Sequence, residues 1–106
     1  MRGERGVPKL TRKKASLREI AKKIKRIDTQ RTRKDIIERL KQLIEIAHGF
    51  ATDKNLNPNV RKDWARLEAY LSQTLNSIAR TYDMMMIKRQ VEELKRIVDQ
   101  ELGERA

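Results

Sequence analysis

Apolar residues recur along most of this chain at intervals of three and four, the spacing that lines one face of an α-helix, and no stretch alternates with the two-residue period of a strand. Leu17, Ile20, Ile24 and Ile27 form the first stripe, with Lys22, Lys23, Lys25 and Arg26 around the other sides. Ser16-Leu17-Arg18-Glu19 at its head fits a capping box, in which the serine hydroxyl and the glutamate each satisfy an orphan backbone N–H. A short, basic, amphipathic helix is predicted over residues 17–28. Asp28-Thr29-Gln30 interrupts the pattern weakly, and Thr32-Arg33-Lys34-Asp35 supplies a second capping box. From there Ile36, Ile37, Leu40, Leu43, Ile44 and Ala47 make a stripe of the width expected for a helix packed against neighbours, predicted over 33–50. Gly49 offers a left-handed stop, while Phe50 and Ala51 allow one further turn. The polar stretch from Thr52 to Asn57 reads as a loop. Asn57 ahead of Pro58 then places a capping side chain before a proline at the first helical position.

Beyond Pro58 there is no proline or glycine until Gly103. One helix from Pro58 to Leu102 would be about 67 Å long at 1.5 Å per residue, against a radius of gyration of about 13 Å for a compact domain of this size. Helical phase divides it. Val60, Trp64, Leu67, Leu71, Leu75, Ile78, Tyr82 and Met85 share one face, whereas Met84, Ile87, Val91, Leu94, Val98 and Leu102 fall on nearly the opposite one. The stripe therefore jumps by roughly half a turn near Asp83, giving predicted helices over 58–82 and 84–102. Either the chain bends there and folds back, or a long helix offers Ile87, Val91, Leu94, Val98 and Leu102 to a partner. The second arrangement is slightly favoured, since a protein this small has little core of its own. On this pattern the fold is all-α: a small antiparallel bundle of three to four helices over 16–106, preceded by a flexible basic arm over 1–15.

Charge changes the picture from fold to partner. The 106 residues carry 26 Lys+Arg against 15 Asp+Glu, a formal net charge of +11. Up to Lys34 there are 14 basic and 3 acidic residues, and after it 12 of each, so the whole excess lies in the first third. Such an excess calls for a polyanion or for heavy solvation, as in a solvated basic tail or a targeting-like extension. With nucleic acid as the first candidate, the phosphate contacts are Arg12, Lys13, Lys14, Lys22, Lys23, Lys25, Arg26, Arg31, Arg33 and Lys34. Removing residues 1–34 is then expected to abolish most of the salt dependence of binding while leaving a folded helical core.

Other chemistry is poorly supplied. There is no cysteine, which excludes disulfides, a thiol nucleophile and Cys-ligated zinc, and the single histidine, His48, makes a poor metal site. Glu45 stands one turn before His48, but no nucleophile or second base is placed beside them, so no catalytic residue is assigned. Gly3 and Gly6 precede no strand and form no phosphate loop. The longest apolar run, Met84 to Ile87, is four residues, far short of the roughly 20 that span a bilayer. The N-terminus contains no secretory h-region, and a soluble cytoplasmic protein without cofactor, metal or small-molecule substrate is expected. Trp64 reads as a core anchor and Met84-Met85-Met86 as a packed bend. Tyr70, off the stripe, is a weak candidate for stacking on a base.

Two stretches carry a resemblance. Arg39-Leu40-Lys41-Gln42-Leu43-Ile44-Glu45-Ile46-Ala47-His48 is similar to the first helix of ribonuclease P protein component 4, a zinc-ribbon subunit of the tRNA-processing enzyme. Ile78-Ala79-Arg80-Thr81-Tyr82 resembles the Ile-Ala-x-basic-Tyr stretch closing that family's second helix, with Thr81 in place of the usual basic residue. The resemblance covers roughly residues 36 to 83, and the spacing between the motifs is a few residues longer than in the family. The four-cysteine ribbon that follows there is missing here, so metal binding does not carry over. What the resemblance implies is a helical pair that docks on a protein subunit and a basic segment that contacts RNA. The function expected is a non-catalytic, RNA-binding subunit of a ribonucleoprotein, most concretely a ribonuclease P-like particle. A DNA-binding, chromatin or ribosome-associated basic protein and a helical interaction adaptor are the alternatives.

Overall fold

The computed structural model describes residues 17–103, with side chains through Glu101. The predicted arm over 1–15, with Arg12, Lys13 and Lys14, lies outside the described residues, as do Ser16 and the side chain of Leu102. Four α-helices follow in order: α1, described over 17–25, α2 (Arg33–Ala51), α3 (Pro58–Ala79) and α4 (Met84–Val98), the last running into a π-helical turn, Asp99–Gly103. No strand occurs among the described residues. The all-α bundle expected from periodicity is the observed fold.

Each start is fixed by the side chain that precedes it. Thr32 Oγ1 accepts from Asp35 N at 3.2 Å, and Asn57 Oδ1 from Asn59 N at 2.7 Å. Asp83 Oδ1 accepts from Met85 N at 2.9 Å and Met86 N at 3.4 Å. Such caps contribute about 0.5–2 kcal/mol apiece by satisfying N–H groups that have no partner within the helix. Only the hydroxyl half of the second capping box forms, because the Asp35 carboxylate turns to Arg31 instead, 3.8 Å away.

One core joins all four helices. Ile20, Ala21, Ile24 and Ile27 enter it from α1 and the turn after it, Ile36, Leu40, Leu43 and Ala47 from α2, Trp64, Leu67, Leu71 and Ile78 from α3, and Ile87, Val91, Leu94 and Val98 from α4. The α2–α3 pair is antiparallel and tied at both ends. Phe50 stacks on Trp64 with ring centroids 4.5 Å apart, and at the other end Arg33 reaches the last turn of α3. Thr74, the one buried polar side chain among the described residues, donates its hydroxyl to the Tyr70 carbonyl at 3.0 Å, which removes the desolvation cost.

Several expectations need correction. The stripe of Ile87, Val91, Leu94 and Val98 is not a partner surface: each side chain is buried within the chain's own core. The break at Asp83 lets α4 fold back onto α3, so the phase jump marks a reversal of the chain and its second stripe meets the first. The longest extent is accordingly 48 Å, not the length of one continuous helix. Met84, Met85 and Met86 are not a packed bend, and all three are exposed. Tyr82, placed on the α3 stripe by phase, is also exposed, because α3 stops at Ala79 and the ring lies in the connection. Helix α2 passes through Gly49 to Ala51 and ends at Thr52, whose N–H and hydroxyl bond the His48 carbonyl at 3.0 and 2.9 Å. Helix α1 stops at residue 25 instead of 28, where Arg26 and Ile27 tighten the backbone into a turn. Finally, α1 is a wall of the core, so removing residues 1–34 would expose the apolar faces that Ile20, Ile24 and Ile27 cover. The folded remnant expected from sequence does not follow.

Candidate nucleic-acid interface

The sequence of α1 assigns its two faces by period alone. Ile20, Ala21, Ile24 and Ile27 are buried, and the residues between them, Lys22, Lys23, Lys25 and Arg26, are exposed. The turn and the first residues of α2 extend this cationic surface with Arg31, Arg33 and Lys34.

These cations divide by what already holds them. Lys23, Arg26 and Lys34 are exposed and have no ion-pair partner among the described residues. Lys22 is only loosely tied to Glu19, at 3.9 Å. Arg31 lies 3.9 Å from Asp28 and 3.8 Å from Asp35, both pairs well exposed, and exposed pairs of this kind hold their partners weakly. Lys25 Nζ sits 2.6 Å from Asp99 Oδ1 and links the end of α1 to the end of α4. A polar cleft of about 280 Å³ lies between the α1–α2 turn and α2, lined among others by Arg26, Arg31 and Arg39. Asp28, Asp35 and Glu38 on the same walls leave it mixed in sign.

Arg33 is differently employed. Its Nε donates to the Thr81 carbonyl at 2.8 Å and the Ile78 carbonyl at 3.2 Å, and a terminal nitrogen donates to the Ala79 carbonyl at 2.8 Å. The Ile78 and Ala79 carbonyls belong to the last turn of α3, where the backbone dipole also favours a cation. Ile78 shares its carbonyl with the Thr81 N–H at 3.2 Å, while Thr81 lies just beyond the helix. The guanidinium carbon lies 4.2 Å from the centroid of the Tyr82 ring. Arg33 therefore ends α3 and is not available as a freely moving phosphate contact, which corrects its assignment from sequence.

Other residues singled out from sequence fall elsewhere. His48, exposed at the end of α2, pairs through Nδ1 with Glu68 of α3 at 2.9 Å and not with Glu45. Tyr70 packs partly buried against the core, so its ring is not open for stacking, while Trp64 is fully buried. On α4, Lys88, Arg89, Glu92, Glu93 and Arg96 alternate in sign. Glu93 is hydrogen-bonded and ion-paired to Arg96, which holds its carboxyl below the usual glutamate range and raises the guanidinium above its own. Among the described residues no three His, Asp or Glu side chains gather as a metal would need, and no helix is long and apolar enough to cross a membrane.

Sequence reasoning missed Tyr82. The signal was present in Asp83: an aspartate at a phase jump is an N-cap, and the residue before an N-cap lies outside the helix. Comparison of the chain with family models, curated proteins and solved structures finds no match.

Proposed function

We propose that this protein is a non-catalytic, RNA-binding subunit of a cytoplasmic ribonucleoprotein, and that a ribonuclease P-like tRNA-processing particle is its setting. The observation that carries the reading is the confinement of the whole net charge to residues 1–34, part of which forms the solvent-facing side of α1 and the turn after it. Phosphate contacts from such a surface release condensed counterions, which supplies affinity without base recognition.

The ribonuclease P setting rests on the two motifs. Residues 39–48 lie within α2, and residues 78–82 cover the end of α3 and its exit, so both fall on one antiparallel pair. A protein subunit would dock on that pair, where Ile46 and Val60 are the large apolar side chains left exposed. The α4 stripe is unavailable for it.

The test is RNA binding as a function of salt. If six to ten phosphates are neutralised, affinity for a structured RNA falls about 10³- to 10⁵-fold between 50 and 200 mM salt. Replacing Lys22, Lys23, Arg26 and Lys34 together with glutamine removes four exposed cations without touching the core. It should lower the log–log salt slope by about 3 to 4. An unchanged slope and affinity in that variant, with its fold intact, would end the proposal.

A further inference from the structure

The connection between α3 and α4 holds an aromatic ring in an unusual setting. Tyr82 is 81% exposed. It is nevertheless not loose, because the guanidinium of Arg33 lies 4.2 Å from its centroid, and that guanidinium is itself fixed by three backbone carbonyls. The backbone on either side is also anchored. The Asp83 N–H donates to Thr81 Oγ1 at 3.1 Å, and the Asp83 carboxylate caps α4. A large apolar ring held from one side and open on the other has no role in the core.

Its surroundings are cationic. Arg80 precedes it and is exposed, and Lys34 follows Arg33 in the chain and is exposed without an ion-pair partner among the described residues. Of the neighbouring carboxylates, Asp83 accepts from the N–H groups of Met85 and Met86, and Asp35 lies 3.8 Å from Arg31. Met85, beyond the cap, is 71% exposed and extends the apolar surface. An anchored ring, an open face and exposed cations next along the chain from Arg33 and just before Tyr82 suit an unpaired nucleotide, with the base on the ring and its phosphates on the cations.

We infer that Tyr82 is a stacking platform for an unpaired base of the bound RNA, with Arg33 as its positioning residue and Arg80 and Lys34 meeting the flanking phosphates. The inference rests on the RNA-binding reading and adds selectivity for single-stranded segments, since a base held in a duplex presents no free face to a ring. It also separates the roles of two regions: α1 holds RNA by charge, and the α3–α4 corner discriminates unpaired from paired strands.

The experiment compares two RNAs of equal length, a hairpin with an unpaired loop and a fully paired duplex, bound at one salt concentration. Tyr82→Ala should weaken hairpin binding by roughly 5- to 140-fold, the range for one stacked base, and leave duplex binding unchanged. Tyr82→Phe should retain the hairpin affinity. Tyr82→Trp should retain it too and show quenching of its emission when the hairpin is added, a signature that a merely structural ring would not give. Thermal melts of the variants check the fold. Equal loss for both RNAs, or no loss for either, overturns the platform while leaving the RNA-binding reading in place. If the unaltered protein binds neither RNA, the RNA-binding reading falls and the platform with it.

Discussion

Replacing Arg33 separates two kinds of arginine that look alike in sequence. If the side chain ends α3, Arg33→Ala takes the side-chain donor from the carbonyls of Ile78, Ala79 and Thr81, of which Ile78 keeps the Thr81 N–H, and frees the Tyr82 ring. A hydrogen bond from a charged donor contributes about 1.5–3 kcal/mol, but this site is only partly buried and water can reach the Ala79 carbonyl, so the three bonds together should be worth about 2–3 kcal/mol. For a domain of this size that lowers the melting temperature by about 10–20 °C. Arg33→Lys should recover less than half, because an ammonium cannot span carbonyls that a planar fork reaches together. Circular dichroism melts measure the shift, and the salt slope for duplex RNA should stay as it was. A melting temperature within about 3 °C of the unaltered protein, combined with a shallower slope, would refute the clamp and return Arg33 to the phosphate contacts.

The buried stripe of α4 gives a second prediction: Val91→Asp places a carboxylate among packed side chains and should cost about 4 kcal/mol, most of the stability of a domain near the lower end of the usual range of roughly 5–15 kcal/mol, and lower the melting temperature sharply. Truncation after Asp83 should do the same, and a monomer of unchanged melting temperature in either variant would contradict the fold. The Glu93 carboxyl, held low by Arg96, should titrate below an ordinary glutamate by carbon-detected NMR and return to it in Arg96→Ala. Because its folded value is depressed, the pair's contribution to stability is present above the unfolded glutamate value and is lost as pH falls through the folded one.

Most of the fold was legible because burial and helical period coincide. Spacing alone turns Ile20, Ile24 and Ile27, Ile36, Leu40 and Leu43, and Trp64, Leu67 and Leu71 inward, and all are buried. The caps at Thr32 and Asn57 were legible because each needs only its own side chain and a backbone N–H two or three residues on. What was not legible depended on contacts distant in sequence. Arg33 reads as one more cation until the end of α3 is placed beside it, 45 residues along. Met85 and Tyr82 continue the α3 period in sequence, and only a break in the backbone takes them off its buried face. The apolar face of α4 is legible in sequence but its neighbour is not, because periodicity identifies a face and not what covers it.

Helix α1 has two obligations that pull against each other. Its inner residues close the core and Lys25 ties it to Asp99 at the end of α4, while Lys22, Lys23 and Arg26 crowd like charges onto its outer side. In the free protein that repulsion opposes docking of the helix, and added salt relieves it by screening. In the proposed RNA complex a polyanion would relieve it instead, and added salt would compete the polyanion away. On the proposed RNA-binding reading, the same ions would steady the free protein and loosen it from RNA, so that assembly would transfer the task of neutralising α1 from the solvent to the RNA, and the RNA would become a component of the protein's own stability.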